Sequence, residues 1–351
     1  MTVVTNPAVD AMQAYVPGEQ PSDPSVVKLN TNECPYPVPE AVIEAVTAEA
    51  QRSLFQKYPD PSCSALRTAI AKRLELTPDN IIMGNGSDEI LRMLFHTFIR
   101  PGAGDRIAML NPTYVLYQTL AQMYGVEVEK HGVNGPGFEL PESFIASNAK
   151  IVFLPNPNPP IGTFYRVADL ECLAAADSNR LVVIDEAYVD FAPGSALEIF
   201  RKYENVIISR TFSKSYSLAG LRVGFAIAHP SLIRALDKIK DSYNLNRLSQ
   251  AAALAAWNSG DYFADIVQRI KKDRAYLVSE LVARGFKVHE SHGNFVFARK
   301  PQAGDIYRKL KDINVLVRYF DSPELKDGLR ITIGTREELD QLLRGLDSIS
   351  N

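Results

Sequence analysis

The sequence predicts an α/β protein: a mostly parallel, doubly wound sheet of seven strands followed by a smaller C-terminal α/β domain. Three observations carry that reading. Between residues 80 and 230, seven short apolar runs alternate with amphipathic stretches, the pattern of buried strands joined by crossover helices. After residue 230 the pattern changes to long helices and four further short runs. The chain is also long and apolar enough to bury a large core, with 351 residues, 46% of them hydrophobic and 23% charged.

The elements follow in order. The first 35 residues carry Pro7, Pro17, Pro21, Pro24 and Pro35 with little periodicity, and read as an arm lying over the body. A helix follows Pro37, with Val38, Val42 and Val46 at four-residue spacing. Ser64 is placed to cap a second helix through Leu66, Ile70, Ala71 and Leu74. The seven strands are read at Ile81 to Met83, Ile107 to Leu110, Val126 to Val128, Ile151 to Leu154, Leu181 to Ile184, Val206 to Ile208 and Val223 to Ile227. Stretches such as Glu89 to Phe98 and Tyr114 to Tyr124 are the helices between them. A helical stretch from Ser231 to Trp257 and a charged helix from about Asp261 to Arg284 come next. Strands at Phe286 to Val288, Phe295 to Phe297, Val315 to Val317 and Leu329 to Ile333 precede a final helix, Arg336 to Ile349. The domain boundaries read are an arm over 1–35, a large domain over 36–245 and a small domain over 246–351.

Several function classes are disfavoured. Lys and Arg total 38 against 41 Asp and Glu, a net charge of −3, so no basic excess points to nucleic acid or an anionic membrane. No apolar run approaches the roughly 18 residues of a membrane span, and residues Met1 to Pro7 lack the basic start and apolar core of a signal peptide. Cys34, Cys63 and Cys172 are far apart and odd in number, which suits a reducing, cytoplasmic setting rather than a disulfide framework. His289 and His292 do not match HExxH spacing, and no metal site is expected.

Three segments carry chemistry. Ser209 to Gly224 places Lys214 among hydroxyls, with Arg222 eight residues on (222 − 214 = 8). A lysine can form a Schiff base with an aldehyde cofactor, and hydroxyls with an arginine suit a phosphate. Taken alone, the same text also reads as a polar loop with a solvated lysine. Asp185 ends the run Leu181 to Ile184, where a doubly wound sheet puts its ligand. It can hold a ring nitrogen protonated, with Tyr188 placed to bond a phenolic oxygen; an ordinary strand-end turn is the alternative. Asn85-Gly86-Ser87-Asp88-Glu89 opens a helix whose N-terminus favours an anion, or is simply capped by Ser87. No GxGxxG or Walker motif occurs.

At these residues the chain resembles a family. Thr211-Phe212-Ser213-Lys214 through Leu218-Ala219-Gly220-Leu221-Arg222 is similar to the cofactor-lysine motif of fold type I pyridoxal-phosphate aminotransferases, and most of all to the histidinol-phosphate aminotransferases among them. The likeness runs nearly the whole chain, through Leu29-Asn30-Thr31-Asn32-Glu33, Lys57-Tyr58-Pro59-Asp60, Gly86-Ser87-Asp88-Glu89, Asn111-Pro112-Thr113-Tyr114, Asp185-Glu186-Ala187-Tyr188 and Gly328 to Thr335. It implies an aspartate-aminotransferase-like fold, pyridoxal phosphate as cofactor, and exchange of amino groups between glutamate and imidazole acetol phosphate in histidine biosynthesis. It further implies that Lys214 carries the cofactor and shuttles the substrate Cα proton, and that Asp185 pairs with the pyridine nitrogen. Tyr188 bonds the phenolic oxygen and Tyr114 stacks on the ring. The phosphate is held by the Ser87 and Asp88 amides, Thr211, Ser213 and Arg222, and by Tyr58 from the other subunit of a homodimer. Arg330 grips the α-carboxylate of glutamate, and Arg318 meets the phosphate of histidinol phosphate, which makes two anion pockets. Tyr15 and Asn32 look like substrate contacts.

One loop departs from the family, which usually has Asn-Asn-Pro-Thr-Gly or Asn-Ala-Pro-Thr-Gly after the fourth strand of the sheet. Here Asn156-Pro157-Asn158-Pro159-Pro160-Ile161-Gly162 stands there, with Pro159 at the second asparagine and Ile161 at the threonine. Asn158 is the nearest donor for the cofactor's phenolic oxygen. A broader aromatic aminotransferase, a threonine-phosphate decarboxylase-like lyase and a non-catalytic α/β binding module are the competing readings.

Overall fold

In chain order the strands are β1 Val27–Lys28, β2 Ile81–Asn85, β3 Arg106–Asn111, β4 Glu127–Gly132, β5 Ile151–Pro155, β6 Leu181–Asp185, β7 Val206–Thr211, β8 Val223–Ala228, β9 Lys287–Val288, β10 Phe295–Arg299, β11 Val315–Leu316, β12 Arg318–Tyr319 and β13 Gly328–Thr332. They come from a computed structural model that describes residues 5, 7–10, 12, 18–100, 102–133 and 139–350. Apart from the partly exposed edge strand β4, the apolar runs become strands of the large sheet because they are short, rich in β-branched residues and buried on both faces. Seven of them form one sheet in the order β2-β8-β7-β6-β5-β3-β4. All its pairings are parallel except the two made by β8.

Side-chain alternation divides the core between the faces of this sheet. Ile107, Met109, Ile151, Phe153, Val183 and Ile207 pack on one side, under the helices Ser87–Phe98 and Leu116–Met123. Ala108, Leu110, Val152, Leu154, Val182, Ile184 and Ile208 face the other. That second layer continues without a break into Phe295, Val296, Leu329 and Ile331 of a smaller antiparallel sheet, ordered β12-β13-β10-β9. No described helix is long and apolar enough to cross a membrane.

The arm is attached to the body, its Val27–Lys28 pairing in parallel with Val315–Leu316. Three local expectations are corrected. Ser64 is not a cap but the first residue of helix Ser64–Arg73, and the Asp60 carboxylate accepts the backbone N–H groups of Ser62 and Ser64 at 2.9 and 2.7 Å instead. The stretch from Ser231 to Trp257 is two helices, Pro230–Asp237 and Arg247–Asn258. Asn246 caps the second by accepting the Ser249 N–H at 2.9 Å, while Asn244 donates to the Met83 carbonyl. Side chains that bond nearby backbone compete with a continuous helix here. The third strand starts one residue later than expected and runs on to Gly132.

The fold is tightest where β8 passes under the turn that opens helix Ser87–Phe98. A methyl group at Gly224 would lie 2.4 Å from the Ser87 nitrogen and 2.6 Å from the Gly86 carbonyl carbon, backbone atoms that cannot swing aside. Gly224→Ala is expected to lose about 1–3 kcal/mol of stability, the range of an overpacked core, seen as a lower urea midpoint. Gly220→Ala, where a methyl group meets nothing within 4 Å, is the control and should leave the midpoint near wild type.

Candidate active site

The carboxyl ends of the parallel strands converge on one place. β6 ends in Asp185, β7 ends in Thr211 and turns into Ser213 and Lys214, and β3 ends in Asn111, five residues before Leu116, where the next helix starts. Asp185, Thr211, Ser213, Lys214, Arg222, Ser87, Asp88, Tyr114 and Tyr188 all line one small pocket. It opens past Tyr114, Pro159, Tyr188 and Lys214 into a cleft of about 910 Å³ whose far wall carries Arg318 and Arg330.

One end of the small pocket is built for an anion. Gly86, at φ 77°, turns the chain so that Ser87 and Asp88 open their helix toward Arg222. A methyl group at Gly86 would come within 2.6 Å of Arg222 Nη2, so glycine is what lets the guanidinium lie against the turn. Arg222 itself is left-handed, at φ 53°, after the short turn Ala219–Leu221. It donates to Ser213 Oγ at 3.3 Å and to Asp88 Oδ2 at 3.1 Å, and Thr211 Oγ1 donates to Ser213 Oγ at 3.0 Å. Two hydroxyls, a guanidinium and a helix N-terminus thus share one end of the pocket.

The other end holds a buried acid. Asp185 Oδ2 accepts from the Tyr117 hydroxyl at 2.8 Å and Oδ1 from the Ala187 N–H at 3.2 Å. Burial pushes its carboxyl up to about 6 against the opposing pull of the Tyr117 and Ser209 hydroxyls. Tyr117 is fully buried, stacks on Phe153 with centroids 4.7 Å apart, and has its own phenol driven well above the ordinary range by burial first and Asp185 second. Sequence reasoning passed over Tyr117. Its one signal is that it follows Tyr114 by three residues, which puts both rings on one side of the chain entering the helix, in edge contact at 5.7 Å.

Between these ends Lys214 Nζ donates to the Thr31 carbonyl at 3.2 Å and lies 5.6 Å from the centre of the Tyr188 ring. The Tyr188 hydroxyl accepts from Asn32 Nδ2 at 2.9 Å. Asn32, expected as a substrate contact, lines the large cleft but is almost fully buried, and it also exchanges hydrogen bonds with Thr332. Tyr15 lies outside the described residues.

One expected residue stands elsewhere, and a second was expected to act from the other subunit. Asn158 is spent inside the protein: it accepts from Thr113 Oγ1 at 2.6 Å and donates to the Pro112 carbonyl at 3.1 Å. Pro159, not Asn158, forms the wall of both cavities, because the turn that bonds Gly162 N–H to the Asn158 carbonyl at 2.7 Å directs the carboxamide back toward Thr113. Tyr58 is 77% exposed, stacked on Tyr243 at 4.2 Å, and lines neither of these cavities.

Arg318 and Arg330, expected to make two anion pockets, stand side by side. Arg318 on β12 and Arg330 on β13 are direct cross-strand partners, so their side chains leave the same face of the sheet, with Cβ atoms about 5 Å apart. Like charges placed opposite one another in this way repel. A doubly cationic patch of this kind suits a phosphate or carboxylate on the substrate.

The chain matches the family described as "Aminotransferase class I and II" over residues 24–346. It is 47% identical over 341 residues to a histidinol-phosphate aminotransferase of Citrifermentans bemidjiense, covering 95% of each chain. It is 43% identical over 344 residues to one of Rippkaea orientalis, covering 97% of each. Among solved structures it is similar to the histidinol-phosphate aminotransferase of Sinorhizobium meliloti in complex with pyridoxal-5'-phosphate, with a TM-score of 0.86, 25% identity and 98% coverage of both chains.

The buried acid predicts a pH dependence. Because the Asp185 carboxyl is raised to about 6 in the fold, against about 4 when unfolded, the folded protein keeps a proton there that the unfolded chain gives up. Its contribution to stability therefore falls as pH rises from about 4 to 6 and is constant above, a loss of about 2–3 kcal/mol. Asp185→Asn has no such proton to hold. In the ligand-free protein, its urea midpoint should gain on wild type through that window and keep a fixed lead above it. Parallel midpoints at every pH would show that Asp185 ionises as it does in water.

Proposed function

Because the chain belongs to the class I and II aminotransferases, we infer that it moves an amino group between histidinol phosphate and 2-oxoglutarate. The products are imidazole acetol phosphate and glutamate, and the reaction is a step in the making of histidine. An amino group and a carbonyl oxygen change places between the two carbon skeletons, so no outside oxidant is needed. The observation that carries this reading is the shared cleft: a lysine, a buried acid and an anion cup at one end, and a cross-strand arginine pair at the other.

Aminotransferases of this fold depend on pyridoxal phosphate, which when bound supplies an aldehyde carbon and an electron-withdrawing ring. The residues fit that group. The cup of Ser87, Asp88, Thr211, Ser213 and Arg222 suits its phosphate, and Asp185 is a buried carboxylate with no arginine or lysine in hydrogen-bond contact among the described residues. Lys214 would hold the aldehyde carbon and then carry the proton from the donor's Cα. Asp185, steadied by Tyr117, would keep a proton on the ring nitrogen. Tyr114 would lie against the ring, and the Tyr188 hydroxyl would meet the phenolic oxygen. Arg318 and Arg330 together would take the phosphate monoester of histidinol phosphate. In the second half of the cycle Arg330 would grip the α-carboxylate of glutamate at the same place. A phosphate with nearly two charges engages both guanidiniums, whereas a carboxylate is satisfied by one.

We further read the enzyme as a cytoplasmic homodimer. The exposed pair Tyr58 and Tyr243, with Phe55 and Ile43 also exposed, supports a face on which Tyr58 of one protomer reaches the cofactor phosphate of its partner.

Two measurements test this. Arg318→Leu should weaken turnover of histidinol phosphate by roughly 2–3 kcal/mol in kcat/KM, the order of a charge-assisted pair, and should hardly touch phenylalanine, whose carboxylate needs one arginine. Equal losses would make Arg318 structural, and a wild-type preference for phenylalanine would make the enzyme an aromatic aminotransferase.

The second concerns assembly. Mixing inactive Lys214→Ala protomers with Tyr58→Phe protomers should restore some activity, provided Tyr58→Phe is severely impaired alone. One site of each mixed dimer then has both residues intact. No recovery in confirmed mixed dimers would exclude Tyr58 from the partner's site.

A further inference from the structure

The arginine pair is not left to hold itself in place. Phe320 lies two residues beyond Arg318, one past the end of β12, with its ring turned toward both arginines. Its ring centre is 5.5 Å from Arg318 Cζ and 5.6 Å from Arg330 Cζ. One ring therefore stands within cation–π range of both like charges. The ring in turn packs on a small cluster of Ile161, Phe297 and Leu325, separate from the main cores. Phe297 is the cross-strand partner of Arg330 on its other side. Ile161 comes from the loop after β5, whose Pro159 and Pro160 line the cleft. Four residues past Phe320 the same segment is tied again to the opposite wall, where Asn111 Nδ2 donates to Glu324 Oε1 at 3.2 Å.

These contacts have a chemical consequence. Two guanidiniums that repel tend to splay, and splayed arginines serve a carboxylate as well as before but a phosphate monoester poorly. We propose that Phe320 is a specificity-determining residue that holds Arg318 and Arg330 side by side, with Ile161 seating it from the loop after β5, so that the pocket favours a phosphate-bearing donor over a carboxylate-bearing one. Phe320 acts through the arginines and is a positioning residue. The proposal rests on the reading that the arginine pair receives the donor's anion.

The test uses the holoenzyme and single-turnover half-reactions with histidinol phosphate and with phenylalanine. Phe320→Leu keeps an apolar body for the Ile161 cluster and removes the ring; Phe320→Tyr keeps the ring. Phe320→Leu should lower the specificity constant for histidinol phosphate about tenfold, mostly through weaker binding, and that for phenylalanine no more than about threefold. Phe320→Tyr should retain the wild-type ratio. Equal losses for both donors with a lower melting temperature would make Phe320 a packing residue, and an unchanged ratio would also overturn the proposal. Arg318→Leu is run beside it. If that variant shifts the ratio while Phe320→Leu does not, Phe320 alone is misread. If Arg318→Leu leaves the ratio alone, the arginine reading and the proposal fall together. Should Phe320→Leu not fold, Ile161→Thr takes its place: a smaller fall in the same ratio supports the proposal, and no change overturns it.

Discussion

A carboxylate buried at the end of β6 is the constraint around which the catalytic end of the molecule is arranged. Asp185 is almost wholly removed from water, and its direct hydrogen bonds come from a phenol and a backbone amide. Keeping a charge there is costly without such donors. Tyr117 can supply one only because β3 delivers its helix across the strand ends, with Phe153 as the surface it stacks on. The same stretch of chain carries Tyr114, whose hydroxyl donates to Asp88 at 3.2 Å, and Asp88 holds Arg222. The acid end and the anion end of the pocket are therefore tied through residues three apart. Next to Asp185, Glu186 makes a buried ion pair with Arg210 and accepts the Ala196 N–H, bracing the ends of β6 and β7. A buried pair of this kind adds little net stability, but losing one member strands the other. Here it ties Arg210 of β7 to the residue that follows β6.

What could be read from the sequence was whatever is written locally. Seven apolar runs with amphipathic spacers state a parallel sheet, and a parallel sheet states where ligands lie. Lys214, Asp185 and Arg222 were legible because each sits inside a short segment whose residue types already match a chemistry. Tyr117 was not, because a tyrosine on an amphipathic helix looks like core until the register across β3, β5 and β6 puts its hydroxyl on Asp185. Asn158 misled for the converse reason: a polar residue in a proline-rich loop has a type but no direction until the turn is built. The pairing of Val27 with Val315, and of Arg318 with Arg330, are matters of strand register between distant or separate segments. No spacing in the chain announces them.

The arm residues Asn30, Thr31 and Asn32 show how the two sheets are brought to bear on one substrate. Leu29 donates to the Leu316 carbonyl and accepts from Thr332, so this stretch threads between β11 and β13. Each of the next three residues then takes one side chain from the cleft. The Asn30 carbonyl accepts from Arg330 at 2.7 Å, the Thr31 carbonyl accepts from Lys214 at 3.2 Å, and Asn32 donates to Tyr188 at 2.9 Å. Three consecutive residues just past β1, the last of them left-handed at φ 55°, thus set the distance between an arginine of the small sheet and the lysine that follows β7. The choice of partner matters as much as the spacing. A backbone carbonyl orients a cation without neutralising it, whereas a carboxylate in its place would form a charge-assisted pair roughly twice as strong and compete with any incoming anion. At these two contacts the acceptor is neutral, and it orients each cation without cancelling its charge.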